Sequence, residues 1–387
     1  MCLRKRGSAT IAFVLTAALT PGVLGCQAQR TGAAAAPDPP QILEESWKAY
    51  LGRFVQADGR VIDHKAGEVS TSEGQSYAML RAVWIGDKAT FDKTYGWGRD
   101  NLNSRVRTDH LWAWKWGKTK DGRWQVLDKA FATDAEQDVA LALILAYKQW
   151  NREQYLQEAH TILGDLWSSA TREIAGKRYL LAGDSLCKNG SCRLNPSYYA
   201  PYAYRIFAQV DHVHDWPLLV DNSYFVLDSA SGLTKTRLPP DWMEIDAKSG
   251  QMKLGSKDSS FSYDAFRVYW RIAMDWKLFH EERAQRYLQR TLPALVDRWR
   301  QQGTIPATIS PNGKALAQYE SLEMIAAVMP AVASVDQTTG RTIAQHLESK
   351  YTAGVWGDKE SYYLQNWAWF GTALYDNYLG PFRLVQA

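Results

Sequence analysis

From Gln41 onward apolar residues recur mainly three and four positions apart, the period of an α-helix, and strand-like alternation is confined to short runs such as Arg178 to Leu181. This periodicity predicts twelve helices, over about 41–56, 73–86, 91–104, 134–149, 153–170, 197–210, 215–228, 261–278, 281–298, 316–334, 338–350 and 361–377. They come in pairs of contrasting character. One member is apolar almost all round, as from Val139 to Tyr147, and its partner is amphipathic and charged, as from Arg152 to Leu166. An all-round apolar helix belongs inside and an amphipathic one outside. Candidate inner helices begin near Glu73, Asp134, Ser197, Phe261, Leu316 and Ser361. With 41–56 as the first outer helix they complete six pairs, which describes an all-α (α/α)6 barrel, a toroid of six helical hairpins over residues 41–387. An open solenoid of hairpins is the competing architecture, and it would show a firmer internal repeat.

In such a toroid the inner helices run parallel, so acids at their starts share one face. Ser72 to Gln75 and Thr133 to Glu136 both fit a capping box, which sets Glu73 and Asp134 in first turns, and Asp264 stands at a third such start. A single first-turn carboxylate is explained by the helix dipole alone. Three of them, set among Tyr77, Phe131, Tyr263 and Phe266, point instead to a site, because crowded like charges are costly. An acid and a base on opposite sides of a sugar are what inverting glycoside hydrolysis needs. Glu73 can be the acid only if burial or Asp134 outweighs the dipole, whereas Arg267, three residues after Asp264, favours an ionised base there.

Composition narrows the partners. The 45 Lys+Arg nearly balance the 41 Asp+Glu, and no basic run follows the extreme N-terminus, which disfavours nucleic acid. The 17 Trp and 20 Tyr exceed what packing requires, and their flat faces suit sugar rings, although any single one is more simply explained by packing between helices. The seven His form no ligand-spaced cluster, so neither metal nor cofactor is expected. Residues 1–25 read as a secretory signal, basic at Arg4 to Arg6 and apolar from Ala9 to Leu24. Its end resembles a lipobox with Cys26 as the lipidated residue, with ordinary cleavage between Gly25 and Ala28 as the alternative. Residues 26–40 read as an Ala/Pro-rich flexible tether, and the expected address is the periplasm or the outside, with a membrane reached only through an N-terminal lipid. Cys187 and Cys192, spaced across an Asn-Gly turn, suit a small disulfide-closed loop in an oxidising compartment.

The segment from Ala132 to Trp150 resembles the signature of glycoside hydrolase family 8, most closely its periplasmic cellulases from bacterial cellulose synthase operons; it departs from that signature at Glu136 and Val139. The resemblance runs from about Trp47 to Tyr375 and implies a monomeric endo-1,4-β-glucanase acting on β-glucan, with the cellulose synthase machinery as a further partner. It makes Glu73 the general acid, Asp264 the general base, and Asp134 the residue under the distorted sugar, called a nucleophile in an alternative naming. It also implies that Tyr263 and Arg267 orient the water and the base, and that Trp112, Trp114 and Trp116 form a sugar-binding loop, with all three rings on one side if that loop is extended. Tyr198 opens another inner helix as a subsite residue, and Asp184, Trp242 and Tyr319 are further candidates. Xylan, chitosan or mixed-linkage glucan remain alternative substrates. A non-catalytic polysaccharide-binding protein and a polysaccharide lyase remain alternative classes; the three acids argue against the first, and the second would need a Tyr, Lys or His base.

Overall fold

In the computed structural model, which describes residues 39–379 apart from Arg105 and Ser185, the helical periodicity becomes thirteen α-helices. They are α1 (Gln41–Phe54), α2 (Ser72–Ile85), α3 (Lys88–Gly98), α4 (Thr133–Trp150), α5 (Glu153–Ala170), α6 (Pro201–Phe207), α7 (Trp216–Gly232), α8 (Arg267–Phe279), α9 (Glu282–Thr291), α10 (Pro293–Gln302), α11 (Leu322–Val335), α12 (Gln337–Ser349) and α13 (Tyr362–Tyr375). The expected signal, Cys26 and all of the tether but its last two prolines lie outside the described residues.

Helices α2, α4, α6, α8, α11 and α13 are the inner ones. Helix α4 is buried at every position from Thr133 to Ala146, as its lack of a polar face requires. Each inner helix packs against the next, and α13 returns to α2, so the ring closes. Outside it, α1 lies on α13, α3 on α2, α5 on α4, α7 on α6, α9 on α8 and α12 on α11. The architecture is the (α/α)6 barrel.

The departures from the sequence pattern have local causes. The outer helix expected over 281–298 is two helices, because Pro293 has no N–H to continue α9 and instead opens α10. Helices α8 and α11 start later than expected, at Arg267 and Leu322 rather than near Phe261 and Leu316. The residues before them are taken up in extended pairings, Phe261 with Ile309, Ile309 with Ala315, and Pro306 with Glu320. Neither capping box forms as read. Thr71, one residue earlier, caps α2 by accepting from the Gly74 N–H at 3.0 Å, while the Thr133 hydroxyl donates to the Leu181 carbonyl at 2.6 Å.

Eleven short strands decorate the ring among the described residues. Strands β1 (Ser70–Thr71), β2 (Lys115–Lys118) and β3 (Trp124–Asp128) form an antiparallel sheet that runs directly into α2. Strands β4 (Thr171–Ile174) and β5 (Lys177–Leu180) form a hairpin. Strands β6 (Cys187–Lys188), β7 (Ser191–Leu194), β8 (Met243–Asp246) and β9 (Met252–Leu254) make a four-stranded antiparallel sheet, and β10 (Tyr351–Thr352) pairs with β11 (Val355–Trp356). Cys187 and Cys192 face each other across the β6–β7 hairpin and are bonded as a disulfide.

Candidate active site

Helix α2 begins where β1 ends, and the Ser72 N–H is tied to the Trp114 carbonyl at 3.1 Å. This fixes Glu73 in the first turn of an inner helix. Asp134 occupies the equivalent turn of α4 and is 3% exposed. Asp264 stands outside a helix, contrary to the first-turn placement expected for it, in a tight turn that precedes α8.

One side chain joins the three. The Arg267 guanidinium donates through Nη1 to Glu73 Oε2 at 2.9 Å and to Asp134 Oδ2 at 2.8 Å, and through Nη2 to Asp264 Oδ1. No two of these acceptor oxygens are therefore separated by more than two hydrogen bonds and the width of a guanidinium. Arg267 is 1% exposed. Burial opposes its charge, and the surrounding groups, Asp264 and Asp134 among them, more than reverse that. Arg267 thus lies enclosed among the acids, in contact with the Asp264 carboxylate that it is expected to orient.

Each acid has a different environment. Burial pushes the Glu73 carboxyl up to about 7; Arg267 and the Tyr362 hydroxyl pull it down, while Asp134 and Asp264 push it further up. The Tyr362 hydroxyl donates to Glu73 Oε1 at 3.0 Å. Asp134 keeps its Oδ1 buried with no hydrogen-bond partner among the described residues. Asp264 keeps a partly exposed side chain, and its Oδ2 accepts from the Trp242 indole at 3.0 Å. Tyr77, Phe266 and Tyr363 pack around Trp367 beneath this cluster.

The aromatic candidates separate. Tyr198 is half-buried beside the acids, with the Arg267 guanidinium 5.3 Å from its ring centre and its edge toward Trp242. Trp112 is 1% exposed, stacked on Tyr95 and pressed against Gly98, so it has no face for a sugar and its expected binding role is corrected. Trp116 stacks on Trp124 at 5.1 Å, beneath the Arg60 guanidinium, and Trp114 is half-buried. The three rings do not share one side, because the strand begins only at Lys115 and its register shifts between Lys115 and Trp116. Tyr263 is 41% exposed, its hydroxyl engaged with Tyr319, which is itself 63% exposed. Asp184 accepts from Arg107 at 2.9 Å and serves as a structural partner of that arginine.

Sequence reasoning passed over Tyr362, Tyr363 and Asp241. Tyr362 sits 289 residues from Glu73, and no local pattern marks such a pairing. Only its place in the first turn of an inner helix could have suggested it.

The family model described as Glycosyl hydrolases family 8 matches residues 11–377. An endoglucanase of Cellulomonas uda is 32% identical over 226 residues, 58% of this chain and 62% of that protein, so the alignment spans less than two thirds of the relative. A probable endoglucanase of Novacetimonas hansenii is 34% identical over 249 residues, covering 62% of this chain and 70% of that one. The solved structure of an endo-1,4-D-glucanase from Vibrio fischeri superposes with a TM-score of 0.75 at 27% identity, covering 86% of this chain and 94% of that one. A closed ring of six inner helices with three carboxylates gathered at its rim, together with a family match that runs through nearly the whole sequence, makes this chain a member of glycosyl hydrolase family 8.

Proposed function

We propose that the chain is an endo-acting β-1,4-glucan hydrolase that works with inversion, Glu73 serving as general acid and Asp264 as general base. The observation that carries this reading is the asymmetry imposed on carboxylates that share one arginine. Glu73, half-buried, has its carboxyl pushed up to about 7 by desolvation, whereas Asp264, also partly exposed, has each of its oxygens held by a nitrogen donor, Arg267 on one and the Trp242 indole on the other. A carboxyl that stays protonated can deliver its proton to the glycosidic oxygen, and a carboxylate open to solvent can activate water. The span across the guanidinium is compatible with the separation of roughly 6.5–9.5 Å that leaves room for water in inverting pairs. Asp134 shares Arg267 with both groups, which places it beneath a sugar held between them. Endoglucanases among the relatives support glucan as the substrate.

The test is reducing-end release from carboxymethyl cellulose together with the anomeric form of the first product by NMR. Glu73→Gln and Asp264→Asn each lower kcat by about 10²–10⁴-fold, the usual worth of an acid or base, and the wild type releases the α-anomer first. Full activity in either variant, or initial release of the β-anomer, overturns the mechanism.

A further inference from the structure

Asp264 belongs to a turn, so no helix fixes its direction. Its order comes from two consecutive residues that precede it by more than twenty positions. Asp241 Oδ1 accepts from three backbone N–H groups of that turn, Ser262 at 3.0 Å, Asp264 at 3.1 Å and Ala265 at 2.7 Å. Its Oδ2 accepts from the Ser262 hydroxyl. The next residue, Trp242, donates its indole N–H to Asp264 Oδ2 at 3.0 Å.

The two holders are themselves held. The Asp241 N–H bonds to the Ser260 carbonyl at 2.7 Å and the Trp242 N–H to the Asp258 carbonyl at 2.8 Å. The Arg193 guanidinium lies 4.4 Å from the centre of the Trp242 ring, and the edge of Tyr198 closes another side. Asp241 is 6% exposed and forms no salt bridge among the described residues. Burial and the nearby Asp264 charge push the Asp241 carboxyl up to about 6 while its hydrogen-bond donors pull it down, and all four of those donors belong to the one turn that carries Asp264.

We propose that Asp241 and Trp242 are a positioning pair for Asp264, the first fixing its backbone and the second its carboxylate. The proposal rests on the reading of Asp264 as the base. A base displaced by about 1 Å loses roughly a hundredfold in rate, and with Arg267 on Oδ1 and Trp242 on Oδ2 the carboxylate can neither rotate nor tilt without breaking a bond.

The experiment is steady-state kinetics on carboxymethyl cellulose with melting temperatures measured in parallel. Trp242→Phe keeps an aromatic ring beside Arg193 and removes the indole donor. It lowers kcat by about tenfold with KM within about twofold of wild type, the loss of one hydrogen bond to a charged group. Asp241→Ala lowers kcat by about a hundredfold, and Asp241→Asn, whose Oδ1 can still take the three N–H groups, recovers part of the loss. Added to Asp264→Ala, Trp242→Phe lowers the residual rate no further, because the carboxylate it serves is gone. A purely structural role would instead lower the melting temperature, in the Asp264→Ala background as well, and leave kcat per folded molecule intact; that result overturns the proposal. An inactive Asp264→Asn enzyme beside fully active Trp242→Phe and Asp241→Ala enzymes overturns the pair alone, whereas an active Asp264→Asn enzyme overturns the reading of the base.

Discussion

At the scale of the residue, the proposed role of Glu73 as the acid couples activity to stability through one proton. Its carboxyl is raised from an ordinary 4.5 to about 7, chiefly by burial. A carboxyl raised on folding favours the native state while protonated, so that contribution is complete below about pH 4.5 and is lost as pH climbs through about 7. Glu73→Gln removes the titration. It should therefore raise the melting temperature relative to wild type more at pH 8 than at pH 5, a difference that calorimetry at the two pH values reads directly. The wild-type kcat/KM should fall across the same interval, since an ionised Glu73 has no proton to give. The sequence made both needs visible, a buried acid and a charged partner near Asp264. It could not show that a single Arg267 serves all three acids, because that convergence joins α2, α4 and α8 across 194 and 133 residues.

At the scale of the element, the helices were legible from hydrophobic periodicity wherever the helix supplies its own order. Helix α5 has the bounds expected of it, and α4 and α13 differ from expectation by a few residues at most. Periodicity failed where distant chain decides. The residues before α8 and α11 look helical locally yet pair as extended chain, and the turn at Asp264 obeys Asp241 rather than its own propensity. The contact of α11 with α13 shows a further non-local demand. Pro330 has no N–H with which to bond the Ala326 carbonyl one turn back, and a Cβ built on Gly371 would lie 2.1 Å from that oxygen. The two backbones thus meet where only glycine fits. Gly371→Ala should destabilise the fold by about 1–3 kcal/mol through overpacking, seen as a lower midpoint in urea unfolding with an unchanged slope.

At the scale of the whole molecule, the core is a charged spine set in aromatic packing. One helical turn below the Arg267–Asp134 contact, Arg271 bonds Asp138 through both nitrogens at 3.2 Å. Both rungs join α4 to α8 at a spacing of four residues on each helix, which is the pattern of two helices running in the same direction. Around the spine, Trp84, Trp270, Trp367, Trp369 and Phe370 contact one another edge to face, tilted or stacked. Much of the aromatic content that suggested sugar binding is thus structural, and composition alone had no means of telling an enclosed ring such as Trp369 from an exposed one such as Trp124.

The lower rung is electrically balanced, but the rim is not: Glu73, Asp134 and Asp264 share a single guanidinium, and Asp241 lies just behind. Even with Glu73 protonated, anionic oxygens outnumber cations where the polymer would bend. A chain bearing carboxylates would meet like charge there, so turnover on carboxymethyl cellulose should decline as its degree of substitution rises, and polyuronates should be poor substrates. The acids assembled for chemistry would then also act as a filter, admitting neutral glycans and turning acidic ones away.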